Sequence, residues 1–157
     1  MRILIAYGSK HGATEKAAKE LGDKLKNNDV HIINLKKEKT EIDHYDTIII
    51  GGSLYAGILQ KEVKAFCVNN ESQLAKKKLG FFLCCGNESK FEEQLDMVFP
   101  KNLLDVATAK GYFGYEYDFK KMNFLEKIVV KKVVKVNESK FEINEINISD
   151  FAKKICN

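Results

Sequence analysis

Long hydrophobic runs are missing from this 157-residue sequence. No stretch approaches the roughly 20 apolar residues of a membrane-spanning helix. The first apolar run, residues 3–7, is too short for the hydrophobic region of a signal peptide. The four cysteines show neither a C-x-x-C pair nor metal-ligand spacing with histidine; they are Cys67, Cys84, Cys85 and Cys156. We therefore expect a cytoplasmic protein with free thiols and no metal site.

Two common nucleotide-binding motifs are also absent. The sequence has no G-x-x-x-x-G-K-[ST] loop, and no G-x-G-x-x-G follows its first apolar run. A Walker A site and the dinucleotide fingerprint are therefore excluded. The net charge of +4 is modest, and no RNA- or DNA-binding signature accompanies it, so we expect no nucleic-acid partner.

What the chain does contain is a polar loop between its first apolar run and a helical pattern. A helix N-terminus exposes backbone N–H groups and carries partial positive charge, so this loop predicts a phosphate site. Gly12 allows close backbone approach, and Ser9 and Thr14 add hydroxyl groups. The candidate residues are Ser9, Lys10, His11, Gly12, Ala13 and Thr14. The alternative is an ordinary helix N-cap.

The whole chain alternates short apolar runs with helical patterns. Strands are predicted over residues 2–7, 30–35, 46–52, 79–84 and 107–112, and helices over 14–27, 60–69 and 89–99. This order predicts one α/β domain over residues 1–157, with a parallel sheet, helices on both faces and right-handed crossovers. Ligands bind such sheets at the carboxyl ends of the strands. Three loops follow such ends, at 9–14, 52–57 and 85–88, and we expect them to converge.

The first loop resembles the phosphate loop of flavodoxins, Ser/Thr-x-Thr-Gly-x-Thr. Ser9, Gly12 and Thr14 match that pattern, and His11 replaces its middle threonine. The resemblance implies a flavodoxin-like three-layer sandwich whose five-stranded parallel sheet has the order 2-1-3-4-5. It also implies FMN as the cofactor, with its phosphate on residues 9–14.

The same resemblance places the flavin ring between the second and third loops. Tyr55 would stack on the ring, and Ala56 or Gly57 would offer a backbone group to the flavin N5. No aromatic residue stands in 85–88, so we expect an open ring face, with Phe91 as the alternative shield. The implied contacts are Ser53, Leu54, Tyr55, Ala56, Gly57, Cys85, Gly86 and Asn87. No catalytic side chain is expected, because the chemistry belongs to the flavin.

The last third of the chain carries an aromatic and basic segment at about 112–136. Its second part, 120–136, reads as a basic amphipathic helix. Such a helix touches a membrane surface or a partner, or packs on the sheet with a lysine-rich outer face; both alternatives stay open. Residues 137–147 alternate like a strand fragment, and Ser149 or Asp150 is the expected cap of a final helix.

In outline the chain also resembles the flavodoxin-like, menaquinone-dependent protoporphyrinogen dehydrogenases. The shared features are the opening loop, Gly-x-Ser-x-x-x-Gly at 51–57, and the segment 111–136. This resemblance implies an FMN-dependent oxidoreductase whose partner is a quinone or porphyrin-like molecule. The alternatives are a flavodoxin-type electron carrier for a redox partner protein, and a flavodoxin fold that has lost FMN.

Overall fold

The computed structural model describes residues 1–55, 57–135 and 137–157. Its strands are β1 (Arg2–Tyr7), β2 (Asp29–Asn34), β3 (Thr47–Ser53), β4 (Lys78–Cys84), β5 (Ala109–Tyr112), β6 (Gly114–Tyr117) and β7 (Lys140–Ile143). Its helices are α1 (Ala13–Lys24), α2 (Lys61–Asn69), α3 (Glu71–Leu74), α4 (Phe91–Val98), α5 (Lys101–Asp105), α6 (Phe124–Val129) and α7 (Glu145–Cys156). A 3₁₀ turn spans Glu88–Lys90, and a π-helical turn spans Val130–Val134.

The main sheet confirms the expected topology. It has five parallel strands in the order β2-β1-β3-β4-β5. The central strands β1, β3 and β4 are buried over nearly their whole length, as their continuous apolar runs predict.

Alternate residues of the central strands enter separate cores on the two faces of the sheet. On one face Ile5 and Phe82 pack with α1 and α7, through residues such as Leu21 and Phe151. On the other face the sheet packs against α2, α4 and α5, through Val63, Phe66, Leu95 and Leu103. The predicted arrangement of a sheet between two helical layers is therefore present. The final helix, α7, lies in the same layer as α1.

Beyond β5 the chain bends and runs on across the carboxyl edge of the sheet. Gly114 makes the bend with φ of 85°, and a side chain there would overlap the Glu142 carbonyl oxygen. β6 then pairs with β7 in a separate antiparallel ribbon. The alternating pattern in 137–147 correctly indicated a strand, but the sequence did not reveal its partner β6.

The predicted helix over 120–136 is wrong in its extent. A turn covers residues 119–121, and α6 begins only at Phe124 because Asn123 and Glu126 form a capping box. Lys135 takes a left-handed conformation after the π-helical turn, and Val136 lies outside the described residues. The segment packs over the loops at the carboxyl edge, through Met122 and Val130, rather than on the sheet.

Smaller corrections concern helix ends. The helix predicted over 89–99 begins as a 3₁₀ turn capped by Asn87, and the final helix is capped by Asn144, not by Ser149 or Asp150. Both asparagine side chains accept a backbone N–H bond, which satisfies a donor that the first turn leaves free. No helix among the described residues is long and apolar enough to cross a membrane.

Candidate functional site

The three loops meet at the carboxyl edge of the sheet. Gly8 N–H donates to the Gly51 carbonyl at 3.0 Å, which joins the first loop to the exit of β3. Leu54 N–H donates to the Cys84 carbonyl at 3.0 Å, which joins the second loop to the exit of β4. Backbone hydrogen bonds thus hold the loops together, as their positions after parallel strands require.

The first loop leads into the N-terminus of α1, which can bind an anion. Gly12 N–H donates to Ser9 Oγ at 3.0 Å, and Gly12 takes a left-handed conformation with φ of 103° as the N-cap of α1. No side chain caps α1, so the N–H groups of its first turn remain available. The Thr14 hydroxyl is fully buried with the Cys84 thiol beside it, and it forms no full hydrogen bond among the described residues. A buried orphan hydroxyl at this place is well suited to a bound oxyanion.

Lys10 and His11 contact a residue that the sequence did not single out, Glu126 at the start of α6. Lys10 Nζ lies 2.5 Å from Glu126 Oε1, and His11 Nε2 lies 3.5 Å from Glu126 Oε2. Burial lowers the pKa of His11, helped by Lys10 and Lys121 and opposed by Glu126. Burial raises the pKa of Glu126, but Lys10, the Asn123 backbone and His11 outweigh it, so this pKa lies below its usual value.

The second loop turns back on itself. Tyr55 and Ile58 exchange two backbone hydrogen bonds around a tight tip, where Gly57 is exposed and has φ of 76°. Ser53 is held by Gln60, whose side chain bonds its backbone and its hydroxyl. The Tyr55 ring lies 4.4 Å from Lys10 Nζ in a cation–π contact. Ala56 lies outside the described residues.

An aromatic residue from outside the third loop covers it. Tyr117 lies directly over Gly86, so that a Cβ on Gly86 would overlap the Tyr117 hydroxyl. The expected alternative shield, Phe91, packs edge-on to Tyr112 instead. The sequence did not reveal that β6 carries an aromatic residue across this loop from a distant part of the chain, and the open ring face stays a prediction for the FMN-bound protein.

Asn87 and Cys85 have local roles in the third loop. The Asn87 side chain accepts bonds from the Ser89 backbone and hydroxyl. Burial raises the pKa of the Cys85 thiol to about 11. Cys84 and Cys85 are both buried and enter opposite cores, so neither thiol is prepared for reaction.

Side chains fill most of the space between the loops. The remaining cavity holds only about 30 Å³, against the several hundred of a ligand pocket. Its lining includes predicted residues and new ones: His11, Ala13, Ser53, Leu54, Tyr55, Cys84, Cys85, Tyr115, Glu116, Tyr117 and Met122. The new contributors come mainly from residues 115–126, which we call the cover segment. The sequence shows the aromatic cluster of this segment, but it does not show that the cluster packs between the three loops.

A second carboxylate of the cover segment lies beside α1. The Glu116 side chain is 1% exposed, and Lys16 Nζ lies 2.7 Å from its Oε2. Lys121 Nζ lies 3.9 Å from Glu116 Oε1 and donates to the His11 carbonyl at 3.3 Å. The cover segment is thus tied by charge to both the first loop and the first turn of α1.

The structure fits the expected FMN at one end of the site. The start of α1 and the unpartnered Thr14 hydroxyl suit a phosphate. At the ring end the cover segment fills the position between Tyr55 and Gly86. A flavin ring therefore requires the cover segment to move. Among the described residues, no cluster of histidine, cysteine, aspartate or glutamate could hold a metal ion.

A family model for the flavodoxin domain matches residues 4–144. Solved structures similar to this chain include oxidised flavodoxin 2 from Bacillus cereus, with a TM-score of 0.62, 20% identity, and coverage of 99% of this chain and 98% of that one. Another is a Fusobacterium nucleatum flavodoxin bound to flavin mononucleotide (TM-score 0.56, 14% identity, 99% and 96% covered). The rubredoxin oxygen:oxidoreductase of Desulfovibrio gigas matches over 99% of this chain and 37% of its own (TM-score 0.55, 15% identity). No curated protein sequence matches.

Proposed function

This chain belongs to the flavodoxin domain family, and from that premise we propose that it binds FMN and transfers electrons through it. The observation that carries the proposal is the buried Thr14 hydroxyl, which lacks a partner among the described residues at the uncapped start of α1. A fold relative, the Fusobacterium nucleatum flavodoxin, is bound to flavin mononucleotide, which supports the same cofactor. We treat residues 1–157 as one flavodoxin-like domain with the 112–136 segment added to it.

The first loop would hold the phosphate of FMN. The N–H groups at the start of α1 and the Thr14 hydroxyl would donate to it, and Lys10 and His11 stand beside it. Tyr55 and the backbone around Gly57 and Gly86 would position the ring. When bound, FMN supplies the one- and two-electron chemistry, while the protein sets access and partner.

Replacing Thr14 tests this proposal. Thr14→Val removes a hydroxyl that makes no hydrogen bond within the described residues, so the free energy of unfolding should change little. The affinity for FMN, measured by quenching of flavin fluorescence, should fall about tenfold, since a hydrogen bond to a charged group is lost. Thr47→Val is the matched control, because Thr47 is equally buried but lies at the start of β3, at the opposite edge of the sheet. Equal FMN affinity in both variants would contradict the placement of the phosphate.

Within FMN chemistry, we propose an oxidoreductase acting on a porphyrinogen- or quinone-like molecule, as the resemblance to protoporphyrinogen dehydrogenases implies. The supporting observation is the aromatic character of the cover segment, which would border the flavin once it has moved out of the ring position and would there meet a substrate. The alternative is an electron carrier for a partner protein. Turnover of protoporphyrinogen with quinone by FMN-loaded protein supports the enzyme. Rapid reduction by a flavoprotein reductase with no such turnover supports the carrier.

A peripheral membrane contact of α6 is a further part of this proposal. Phe124 and Leu125 are 76% and 71% exposed at the start of α6, and Lys131 and Lys132 are exposed beyond them. Apolar side chains next to lysines suit an anionic lipid surface. Co-sedimentation with phosphatidylserine vesicles should be lost in a Phe124→Ser, Leu125→Ser double variant. Equal sedimentation of the variant would refute the contact.

The filled cavity supports a second candidate, a flavodoxin fold that acts without FMN. Its remaining volume of about 30 Å³ has no room for a ring in the arrangement described above. The two candidates differ in one visible property. Protein purified with FMN present carries the absorbance bands of bound flavin under the first candidate and remains colourless under the second.

A further inference from the structure

The cover segment places one buried carboxylate, Glu126, against residues expected to hold a phosphate, and a second, Glu116, against Lys16 of α1. The side chains of Glu126 and Glu116 are 9% and 1% exposed. Burying a carboxylate is costly unless cations and hydrogen bonds compensate for the lost water. Lys10 and the Asn123 backbone N–H face Glu126, whereas Glu116 has Lys16 and Lys121 nearby but no hydrogen bond among the described residues.

Glu126 occupies the cationic part of the first loop. Its two oxygens lie 2.5 Å from Lys10 Nζ and 3.5 Å from His11 Nε2. Lys10 in turn stacks on Tyr55, the residue expected to contact the flavin ring. Glu126 thus contacts the first loop directly and is linked through Lys10 to the second loop.

The apolar side chains of the cover segment occupy the ring position. Tyr117 lies over Gly86, and Met122 lines the remaining cavity together with Tyr55. Tyr117, Met122 and Val130 form a small cluster that is separate from the two cores of the sheet. The apolar contacts of the cover segment are therefore separate from both main cores, and its displacement would instead break the pairing of β6 with β7.

We propose that the cover segment is a built-in competitor of FMN, in which the Glu126 carboxylate takes the place of the phosphate beside Lys10 and His11. The inference rests on the proposed FMN function and deepens it. Binding of FMN and closure of the cover segment exclude each other, because both draw on Lys10 and because the cover segment fills the space that the ring needs. The affinity for FMN is then reduced by the fraction of molecules that are closed.

The substitution Glu126→Gln tests the charge directly. Glutamine at this position keeps the capping box with Asn123, whose backbone N–H donates to the Glu126 side chain at 3.0 Å. It removes only the negative charge facing Lys10 and His11. FMN should bind about tenfold more tightly to this variant, since a charge-assisted bond of the closed form is lost.

Glu138→Gln is the matched control. Glu138 is exposed, lies in the same region of the chain and forms no ion pair among the described residues. It changes the net charge by the same amount, so any general electrostatic effect on FMN binding appears in both variants. The affinity of Glu138→Gln for FMN should equal that of the unchanged protein.

Hydrogen exchange gives a readout that does not depend on activity. Addition of saturating FMN should speed exchange of the amides in residues 115–126, while the amides of residues 9–14 become protected. Unchanged protection of 115–126 in the FMN-bound protein would overturn the inference, since the cover segment would then stay in place.

The outcomes also separate this inference from the proposed function. Equal FMN affinity in the unchanged protein and both variants would contradict the proposed competition between the cover segment and FMN. It would leave the proposed binding of FMN unaffected. If FMN binds neither to these proteins nor to Tyr117→Ala, which empties the ring position, both proposals fail.

Discussion

Gly86→Ala should force the cover segment away from the third loop. A Cβ at this position would overlap the Tyr117 hydroxyl, and the next neighbours are Tyr117 Cζ at 3.2 Å and Cε2 at 3.4 Å. The backbone itself is not the obstacle, because Gly86 is absent from the residues with positive φ. The cost of the substitution therefore arises from the contact with Tyr117.

The expected change in the free energy of unfolding follows from the contact that the new methyl group makes with Tyr117. Inserting a methyl group into a filled space costs about 1–3 kcal/mol. Restricting the unfolded chain by replacing glycine with alanine returns about 0.4–1 kcal/mol. We expect Gly86→Ala to lower the free energy of unfolding by about 1–2 kcal/mol.

The same substitution should also be made in a Tyr117→Phe protein, because Tyr117→Phe removes the hydroxyl oxygen with which the new Cβ overlaps. There, Gly86→Ala should cost close to nothing, which gives a coupling of about 1 kcal/mol or more in a double-mutant cycle. Urea denaturation measures all four proteins, with equal m-values as the check that only stability has changed. An equal cost of Gly86→Ala in both backgrounds would refute the placement of Tyr117 over Gly86.

Two further predictions concern titratable groups. Cys156 is exposed and should react with a thiol reagent in the native protein. The three buried cysteines should react only on unfolding, because burial raises their pKa, for Cys85 to about 11. Fast reaction of three or more thiols in the native protein would contradict the packing. The His11 pKa is lowered below its ordinary 6.5 by burial, with Lys10, Lys121, Glu126 and Asp118 facing it. A depressed pKa favours the neutral form in the folded state, so this contribution to stability is complete above pH 6.5 and declines as the pH falls below that value. Unfolding free energies at pH 7 and 5.5 should therefore differ less in His11→Asn than in the unchanged protein, and equal differences would exclude His11 as a source.

The main sheet could be predicted because its signals are local. Each central strand is a continuous apolar run, and the polar loops and helical patterns between them leave few topologies open. The meeting of the three loops followed from the same reasoning, since parallel strands present their carboxyl ends at one edge. The roles of the individual site residues remain predictions.

The cover segment could not be predicted in the same way. The periodicity of residues 120–136 indicates one helix over that whole range, and the aromatic residues before it carry no local signal of where they pack. The Asn123 and Glu126 capping box, a local signal present in the sequence, would have placed the start of α6 correctly. No local signal pairs Glu126 with Lys10 or Tyr117 with Gly86, because these contacts join parts of the chain far apart in sequence.

The sequence by itself determined the order of the strands in the main sheet, their parallel arrangement and the helix start that suits an anion. Apolar runs and helix starts act within a few residues of themselves, so they can be recognised without the fold. Only the tertiary structure decided what lies above the first loop. The bend at Gly114 and the β6–β7 ribbon bring the carboxylates and the tyrosines of the cover segment back over the edge of the sheet, where burial and ion pairing hold them.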